Sequence, residues 1–456
     1  MYFSRKQLFK LIFPLLIQQI LAVTIGIADS MMVSSAGTAA VAGVSLVNSL
    51  DVLLITMFSA LASGGAIVTA QFIGKGDLEL AKKSAKQLLY VTTGVALIIT
   101  LTVLVLRVPL LDLLYGDVEA SVMENALAYF FFLSLSFPFL AIYDAGAAIL
   151  RSMGRSTVTM LVSVGMNAMN IAGNAIFIFG FGLGAAGAAI ATLISRVVGS
   201  VIMLVVVHNK KFPIHISRLF HFIPDGILIK RILRVGIPGG LENSMFQFGK
   251  LLTQSLISSM GTAAIAANSV AHMIATLQYM PGGAIGLAMV TVVGQCVGAN
   301  EKKQATRYAR LLIGITYVAL WVMCILSVVF GKAIIGIYNI GEASGTAYEL
   351  IFYHSILAAA IWPLAFTLPG SFRSASDVSF PLIISAASMW VFRVGTSYFL
   401  ALNSVSIFGL FTVPGFGLGV LGVWIAMTID WVFRAALFAW RHFSGRWLTK
   451  YKELKT

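Results

Sequence analysis

The sequence predicts an all-α polytopic membrane protein with twelve transmembrane helices in two six-helix bundles, related by a pseudo-twofold axis along the membrane normal. Composition is the first observation behind this prediction. Of the 456 residues 59% are hydrophobic and 11% are charged, and the mean hydropathy is +0.94. A soluble protein core does not need so much apolar surface. The second and third observations are a series of apolar runs and an internal repeat.

The apolar runs are bounded by charged residues or by clusters of glycine and proline. Crossing a bilayer as a helix takes roughly 20 apolar residues, and most of the runs reach that length. They cover residues 11–34, 44–72, 87–106, 124–149, 157–180, 186–207, 235–259, 268–297, 311–330, 348–371, 380–402 and 418–440. An even number of runs predicts that both ends of the chain lie on the same side of the membrane.

Lysine and arginine residues are concentrated in every second connection between the apolar runs. The basic connections and termini include Arg5, Lys75, Arg151, Arg218, Lys230, Lys302, Arg373, Arg441, Lys452 and Lys455. The other connections hold only Arg107 and Lys332. Because cytoplasmic loops carry the excess of positive charge, we expect both termini to be cytoplasmic and the protein to span the plasma membrane.

The internal repeat relates the two halves of the chain. Pro14 and Pro238 have the same separation along the chain as the motifs GTAAVA at Gly37 and GTAAIA at Gly261. A looser second part relates FGLG at Phe181 to FGLG at Phe416. We therefore predict an N-terminal lobe (1–207), a cytoplasmic linker (208–234) and a C-terminal lobe (235–456). Two such bundles across a cleft are the arrangement that transporters use for alternating access, although a duplication can also lack mechanistic meaning.

An acidic residue, Asp29, lies inside the first apolar run. An Asp near the bilayer centre costs roughly 2.5 to 3.5 kcal/mol on insertion scales, so it is expected to bind something or to be paired. At about 1.5 Å of helix rise per residue, Asp29, Asn170 and Asn174 lie about 28, 21 and 27 Å from the inner face. Thr192 lies about 8 Å below the outer face by the same measure.

These four side chains predict a cation site in the outer half of the first bundle. Asn170 and Asn174 are four residues apart and face the same way on a helix. Carboxylate, amide and hydroxyl oxygens are the ligands that a small hard cation prefers. For the Asn pair the alternative is that it only joins helices by hydrogen bonds.

Other polar residues in the apolar runs are weaker candidates. Asp144 lies about 30 Å below Glu124, too deep to join Asp29 unless Pro138 kinks or shortens the span. In the second half Glu242, Lys250, His272, Arg393 and Asp430 fall within apolar runs.

Their charges predict different roles. Arg393 and Asp430 reach similar depths, which predicts a neutralising ion pair. His272 is expected to be packed or to line a cavity, with a proton relay as the alternative. Lys250 has the wrong sign for a cation site, and Thr253 occupies the repeat position of Asp29. We therefore expect the coupling site in the first half only.

Several classes of protein are disfavoured by the sequence. The formal net charge of +14 resides in short connections without interleaved exposed aromatic residues, so we expect no nucleic-acid partner. Cys296 and Cys324 lack a CxxC spacing, which predicts buried thiols rather than a zinc site or a disulfide framework. The sequence contains no HExxH and no phosphate loop, and no GxSxG in a strand-to-helix context. An enzyme and a bound cofactor are therefore not expected.

Motifs in order along the chain resemble the multidrug and toxic compound extrusion (MATE) family. They are Pro14 followed by GIAD ending at Asp29, GTAA from Gly37, ILRSMG from Ile149, the Asn170 and Asn174 pair, and AGAAIAT from Ala186. The resemblance implies an antiporter that exports cationic or amphiphilic compounds in exchange for Na⁺ or H⁺. It implies a coupling site at Asp29, Asn170, Asn174 and Thr192, with Asp29 and Asn170 holding Na⁺ if the protein is sodium-coupled.

This chain departs from the family pattern at two positions. Some relatives have Asp at the position of Asn174, so this chain offers one fewer carboxylate. Branches with an acid in the seventh helix place it deeper than Glu242. A lipid-linked precursor flippase is the alternative function, and a membrane-embedded receptor or enzyme is a third class. We expect a monomer whose partners are small molecules and membrane lipids.

Overall fold

The computed structural model describes residues 3–217, 221–407 and 411–451, so Arg218, Lys452 and Lys455 of the basic segments lie outside the described residues. Helices dominate the first half of the chain. They are α1 (Arg5–Ser34), α2 (Thr38–Lys75), α3 (Leu78–Tyr115), α4 (Ala120–Leu135), α5 (Phe137–Ser152), α6 (Ser156–Asn174) and α7 (Gly184–His208), and a π-helical segment (Ala175–Gly180) continues α6.

The second half contains eight α-helices among its described residues. They are α8 (Gly226–Ser258), α9 (Thr262–Gly298), α10 (Lys302–Tyr338), α11 (Ala343–Trp362), α12 (Pro369–Ser374), α13 (Ser379–Ser388), α14 (Thr396–Ala401) and α15 (Gly419–Phe443). Two π-helical segments, Pro363–Thr367 and Met389–Gly395, join α11 to α12 and α13 to α14. A short 3₁₀ helix (Arg446–Thr449) follows α15. Where α-helices follow one another directly or through a π-helical segment, we call the series one rod, and the described residues then form twelve rods.

These rods confirm the predicted all-α membrane fold. Ten of them are long and apolar enough to cross a membrane, and an eleventh is the bent pair α4 and α5. The remaining rod, α8, has 33 residues but carries Glu242 and Lys250 in its apolar part. Because α8 begins at Gly226, its first turns lie within the range 208–234 that was assigned to the linker.

Local sequence explains where several helices begin or bend. Ser4 and Gln7 form a capping box at the start of α1, each side chain bonding the backbone N–H of the other, which satisfies two N–H groups that the helix leaves free. Asp77 caps α3 by accepting from the backbone N–H of Leu80 at 2.9 Å. The rod of α4 and α5 bends by 44° at Ser136, directly before Pro138, whose ring clashes with a continuing helix.

The repeat is visible in backbone angles. Gly37 has φ +101°, and its repeat partner Gly261 has φ +98°. Gly76 (φ 81°) and Asn300 (φ 59°) have the same separation along the chain as that pair. A non-glycine residue seldom adopts a positive φ, so the left-handed turn at Asn300 follows from its place in the repeat. The duplicated motifs therefore fold alike locally.

The described chain has one feature that the all-α prediction lacked, a two-stranded antiparallel hairpin. Its strands are β1 (Ser404–Ile407) and β2 (Phe411–Pro414), and Val405 pairs with Val413. β-branched and aromatic residues alternate with small polar ones here, a pattern that favours strands over helices. The hairpin connects α14 to α15.

By contacts between Cα positions the chain divides into two units. Unit 1 comprises Met1–Gly240 and Gly294–Asn300, and unit 2 comprises Leu241–Val293 and Glu301–Thr456. The unit 1 core packs α2, α3, α4, α5 and α7 around Phe58, Phe130 and Phe137. The unit 2 core includes Leu350, Ile351, Trp362, Trp424 and Trp431. Both cysteines are buried. The lobe boundaries 1–207 and 235–456 remain a prediction.

Within unit 1, α2 and the last turns of α9 approach closely through glycine. A Cβ added at Gly74 would lie 1.9 Å from the carbonyl oxygen of Gln295, and one at Gly298 would lie 1.9 Å from that of Gln71. Gln295 also donates from Nε2 to the carbonyl oxygen of Ser152 at 2.7 Å. Gly74 and Gly298, which have the same separation along the chain as Pro14 and Pro238, are therefore required for this crossing.

Candidate functional site

Asp29 and Asn174 meet in unit 1. Asp29 is on α1 and is half-buried, and Asn174 is the fully buried last residue of α6. The side-chain amide of Asn174 donates from Nδ2 to Asp29 Oδ1 at 2.5 Å. A hydrogen bond to an ionised acceptor is short and strong, so this contact holds the carboxylate of α1 against α6.

Asn170 and Thr192 extend the same group of side chains. Asn170 lies one helical turn before Asn174, is 5% exposed, and donates from Nδ2 to Thr192 Oγ1 at 3.1 Å. Asn174 Nδ2 also lies 3.4 Å from Asn170 Oδ1. The Thr192 hydroxyl donates to the carbonyl oxygen of Ala188 within α7. The four predicted residues thus form one hydrogen-bonded group contributed by α1, α6 and α7.

The oxygen atoms of this group fit a small hard cation. Asn174 Oδ1 is buried and accepts no hydrogen bond, and an unsatisfied buried acceptor is costly. A cation beside Asp29 would satisfy that acceptor and would add the oxygens of Asn170 and Thr192 to its shell. No group of three or more His, Cys, Asp or Glu side chains able to hold a metal occurs in the described part of the chain. Any ion site here therefore depends on amide and hydroxyl oxygens as well as on one carboxylate.

A second acid of unit 1, Asp51, was missed by the sequence reasoning. Asp51 is on α2, is 8% exposed, and its Oδ2 lies 3.5 Å from Arg196 Nη2 on α7. Arg196 also donates from Nη1 to Ser136 Oγ at 2.7 Å, at the bend between α4 and α5. The available signal was an acid inside the apolar run 44–72, the same signal that singled out Asp29.

Asp29 differs from Asp51 in its partners. Asp29 takes part in no ion pair among the described residues, although the charge of Arg196 acts on it electrostatically. The guanidinium of Arg196 already forms an ion pair with Asp51 Oδ2. The two acids therefore differ in that Asp51 has an ion-pair partner among the described residues and Asp29 does not.

Asp144 is on α5, and its buried Oδ2 accepts no hydrogen bond. It interacts electrostatically with Arg151 and Arg196 and forms no hydrogen bond with Asp29. The interior of unit 1 thus holds the three acids Asp29, Asp51 and Asp144 near two arginines. This excess of acid favours cations in unit 1.

In unit 2, Glu242 is held by two partners. Its Oε2 accepts from Arg373 Nη2 at 2.8 Å and its Oε1 accepts from Ser385 Oγ at 2.8 Å. A neutralised and hydrogen-bonded carboxylate is a poor site for a mobile cation. This environment agrees with the departure from the family pattern at Glu242.

Asp430 on α15 has a partner that the sequence reasoning missed. Arg434 Nε donates to Asp430 Oδ1 at 2.7 Å, whereas Arg393 Nη1 lies 4.0 Å from Asp430 Oδ2. Ser388 Oγ also donates to Asp430 Oδ1. Arg434 was recognisable as a charge inside the run 418–440, one helical turn after Asp430.

His272 and Lys250 face a cavity in unit 2. Thr253, the residue at the repeat position of Asp29, lines the same cavity, and so does Arg393. More than a third of the His272 surface is exposed. The repeat position of Asp29 is thus neutral in the second half, and the cavity beside it is lined by basic residues instead of an acid.

Comparisons with known proteins agree with this architecture. A family model described as MatE matches residues 14–176 and 238–399. The uncharacterized transporter YisQ of Bacillus subtilis (strain 168) is 30% identical over 457 residues, covering 97% of this chain and 95% of that protein. The probable multidrug resistance protein NorM of Thermotoga maritima is 28% identical, covering 97% and 93%.

A solved structure shares the fold. It is the outward-facing conformation of a multidrug resistance MATE family transporter of the MOP superfamily, with a TM-score of 0.87, 24% identity, and coverage of 97% of this chain and 96% of that one. The family match spans both halves of the repeat and most of the chain. The chain therefore belongs to the MatE family, the multidrug and toxic compound extrusion (MATE) transporters that its motifs resemble.

Proposed function

We propose that this multi-pass membrane transporter is a cation-coupled antiporter that exports cationic or amphiphilic compounds in exchange for Na⁺ or H⁺. Asp29 is the coupling residue, and Asn170, Asn174 and Thr192 complete its site. Asp29 and Asn170 are ligands of Na⁺ if sodium is the coupling ion. The transporter needs no cofactor besides that ion, and it acts as a monomer in the plasma membrane with both termini in the cytoplasm.

The observation that carries this proposal is a difference in the partners of the acidic residues inside the apolar helices. Asp51 pairs with Arg196 and Glu242 pairs with Arg373, whereas Asp29 has the neutral amide donor of Asn174 and no ion-pair partner among the described residues. A carboxylate inside a membrane helix is costly without a positive partner. A cation that arrives and leaves supplies that partner in one state of the cycle only.

Coupling requires that the ion and the exported compound favour different conformations. Each must prefer its own state by a few kcal/mol for the exchange to be tight. A tenfold ion gradient provides about 1.4 kcal/mol, and a potential of 100 mV adds about 2.3 kcal/mol for each net charge moved. Exchange of one Na⁺ for one monovalent cation moves no net charge. The chemical gradient alone would then drive export, so strong accumulation requires more than one ion per compound.

The test is transport by the purified full chain in proteoliposomes. Movement of ethidium is recorded under a sodium gradient at equal pH, and separately under a pH gradient without sodium. We expect one of the two gradients to drive ethidium against its own concentration gradient. Absence of driven transport under both gradients, with protein that is folded and inserted, would overturn the proposal.

The flippase alternative is tested in the same vesicles. A flippase for a lipid-linked precursor needs cations facing the phosphate groups of its substrate. In unit 1 the cation Arg196 is already engaged by Asp51 and Ser136, so it is not available to such a substrate. Transfer of a fluorescent anionic lipid between leaflets, without any driven ethidium transport, would favour the flippase instead.

A further inference from the structure

The cavity of unit 2 has a volume of about 60 Å³ and a basic lining. Lys250, Thr253, His272, Arg393, Trp424 and Met427 contribute to its wall. One water molecule needs about 10 to 15 Å³ on this measure, so the cavity accommodates a group of the size of a carboxylate or a phosphate. It does not accommodate a whole drug-sized molecule.

Lys250 brings an uncompensated charge to this cavity. Its ammonium group takes part in no hydrogen bond or ion pair among the described residues. The charged group that acts on it is another cation, Arg393. Two neighbouring cations without an acid between them repel each other and attract an anion.

Arg393 is a second cation at the cavity, and its ion-pair partner Asp430 lies 4.0 Å away. Arg393 is 7% exposed, and its Nε and Nη1 atoms donate no hydrogen bond. The guanidinium Cζ lies 5.4 Å from the ring centre of Phe246, and Arg393 contributes to the wall of the cavity. A buried guanidinium with unused donors is costly, and a planar oxyanion satisfies two of those donors at once.

Asp430 does not neutralise both arginines next to it. Arg434 Nε donates to Asp430 Oδ1 at 2.7 Å, and Ser388 donates to the same oxygen. Arg393 Nη1 remains 4.0 Å away from Asp430 Oδ2, beyond hydrogen-bond distance. One acid facing two arginines and Lys250 leaves a net positive charge beside the cavity.

The rest of the wall combines the polar side chains of Gln254 and Asn268 with apolar and aromatic ones. Trp424 lines the cavity and uses its indole N–H to donate to Asn268 Oδ1 at 2.9 Å, so its ring remains for packing. Val423, Met427 and Ile257 are further lining residues. A ligand whose charged group is held by Lys250 and Arg393 would place its adjoining atoms against these apolar side chains. Such a ligand is an amphiphilic anion.

The internal repeat relates this cavity to the Asp29 site. Asp29 and Thr253 are separated by the same number of residues as Pro14 and Pro238, which belong to the first part of the repeat. Thr192 and Met427 are separated by the same number of residues as the two FGLG motifs. Two lining residues of the cavity thus occupy the repeat positions of two residues of the Asp29 site. The second half thus keeps a cavity at this place of the repeat, but its basic residues stand at other positions than that of Asp29.

From these observations we propose that the cavity of unit 2 binds an oxyanion, the carboxylate or phosphate group of an amphiphilic molecule. Lys250 and the guanidinium of Arg393 hold the anion, and Trp424 and Met427 contact the apolar part next to it. The oxyanion can belong to a soluble transported compound or to a lipid headgroup. This site is independent of the coupling ion, because none of the Asp29 group contributes to it.

The test measures binding to the purified full chain in phosphatidylcholine nanodiscs, without any ion gradient. Three probes of the same shape differ in charge: 2-naphthoate, 2-naphthamide and 2-naphthylmethylammonium. We expect naphthoate to bind at least about tenfold more tightly than the amide, as for a hydrogen bond to a charged group. Lys250→Met should reduce this preference to less than threefold. The matched substitution Lys332→Met, at an exposed position over the Tyr348 ring, should leave it unchanged.

Two further measurements complete the experiment. Arg393→Met should also remove the preference, and the melting temperature shows whether each variant is folded. Since Lys250 has no partner to leave behind, Lys250→Met decides the result if the arginine variant does not fold.

Nanodiscs containing phosphatidate distinguish the two sources of the oxyanion, a lipid headgroup and a soluble compound. A lower naphthoate affinity there identifies a lipid headgroup as the occupant, and an equal affinity identifies a soluble compound.

Some results would overturn the proposal whichever source applies. They are equal binding of naphthoate and naphthamide by the unmodified chain, tighter binding of the ammonium probe, or a full preference for naphthoate in folded Lys250→Met protein. Because these measurements involve no transport, they are unaffected by failure of the proposed antiport.

Discussion

Asn174 donates a hydrogen bond from Nδ2 to Asp29 Oδ1 at 2.5 Å, joining two residues that are 145 positions apart in the chain. The donor is neutral, so it orients the carboxylate without neutralising it. Asp51, in contrast, faces the guanidinium of Arg196. The two acids thus differ in that Asp51 has a positively charged partner and Asp29 has a neutral one, and the proposed coupling role of Asp29 rests on this difference.

The first prediction concerns the charge of Asp29. Asp29→Asn should abolish ion-driven efflux of ethidium while the protein remains folded, because an amide binds no proton near neutral pH and attracts Na⁺ weakly. Efflux is measured in the proteoliposomes described above, and folding by size-exclusion chromatography and melting temperature. Asp112→Asn, a matched change at an exposed residue of α3, should transport at the original rate. Undiminished efflux by Asp29→Asn would refute the assignment.

The second prediction concerns the donor to Asp29. Asn174→Ala removes a hydrogen bond to a charged group, which is worth about 1.5 to 3 kcal/mol. The concentration of coupling ion that gives half-maximal transport should therefore rise roughly tenfold or more, while the maximal rate falls less. The measurement is the initial transport rate against ion concentration.

Asn125→Ala is the control for this change. Asn125 donates a hydrogen bond to the carbonyl oxygen of Ser121 within α4. This bond involves none of the four site residues. The half-maximal ion concentration of this variant should stay within twofold of the original. A shift of the same size in both variants would mean that Asn174 has no specific role at the ion site.

The third prediction concerns the ion pair of Arg196 and Asp51. Removal of one partner of a buried pair leaves an unpaired charge and costs about 3 to 5 kcal/mol. Arg196→Met should therefore strongly lower the melting temperature. The double variant Asp51→Asn with Arg196→Met should recover most of the loss, because no unpaired charge remains at that position. Equal destabilisation of the single and double variants would show that the two charges are not coupled.

The fourth prediction concerns the glycine crossing of α2 and α9. Gly298→Ala would place a Cβ 1.9 Å from the carbonyl oxygen of Gln71, so one helix must shift. Overpacking of this kind typically costs about 1 to 3 kcal/mol, measured as a lower melting temperature. Gly94→Ala, in α3 with no heavy atom within 4 Å of the new Cβ, should be neutral or slightly stabilising. A neutral Gly298→Ala would mean that the crossing is loose.

Much of the fold follows from patterns that are local or that repeat. The apolar runs predicted the helical rods because a membrane helix must be apolar along its whole length. The matched spacings of the GTAA motifs and of the prolines Pro14 and Pro238 predicted two related halves, and the similar φ angles at Gly37 and Gly261 support the same relation. The bend at Ser136 was anticipated through Pro138. The hairpin of β1 and β2 was missed because it is short and lies between two apolar runs.

The chain alone determined which charges lie at membrane depth and which family the protein belongs to, because both depend only on residue order and composition. Only the tertiary structure decided which charges are paired: Asp51 with Arg196, Glu242 with Arg373, and Asp430 with Arg434 more closely than with Arg393. The physical reason is that the stability of a buried charge depends on the nearest opposite charge across a helix interface. Distances of that kind arise from packing between helices that are far apart in the chain.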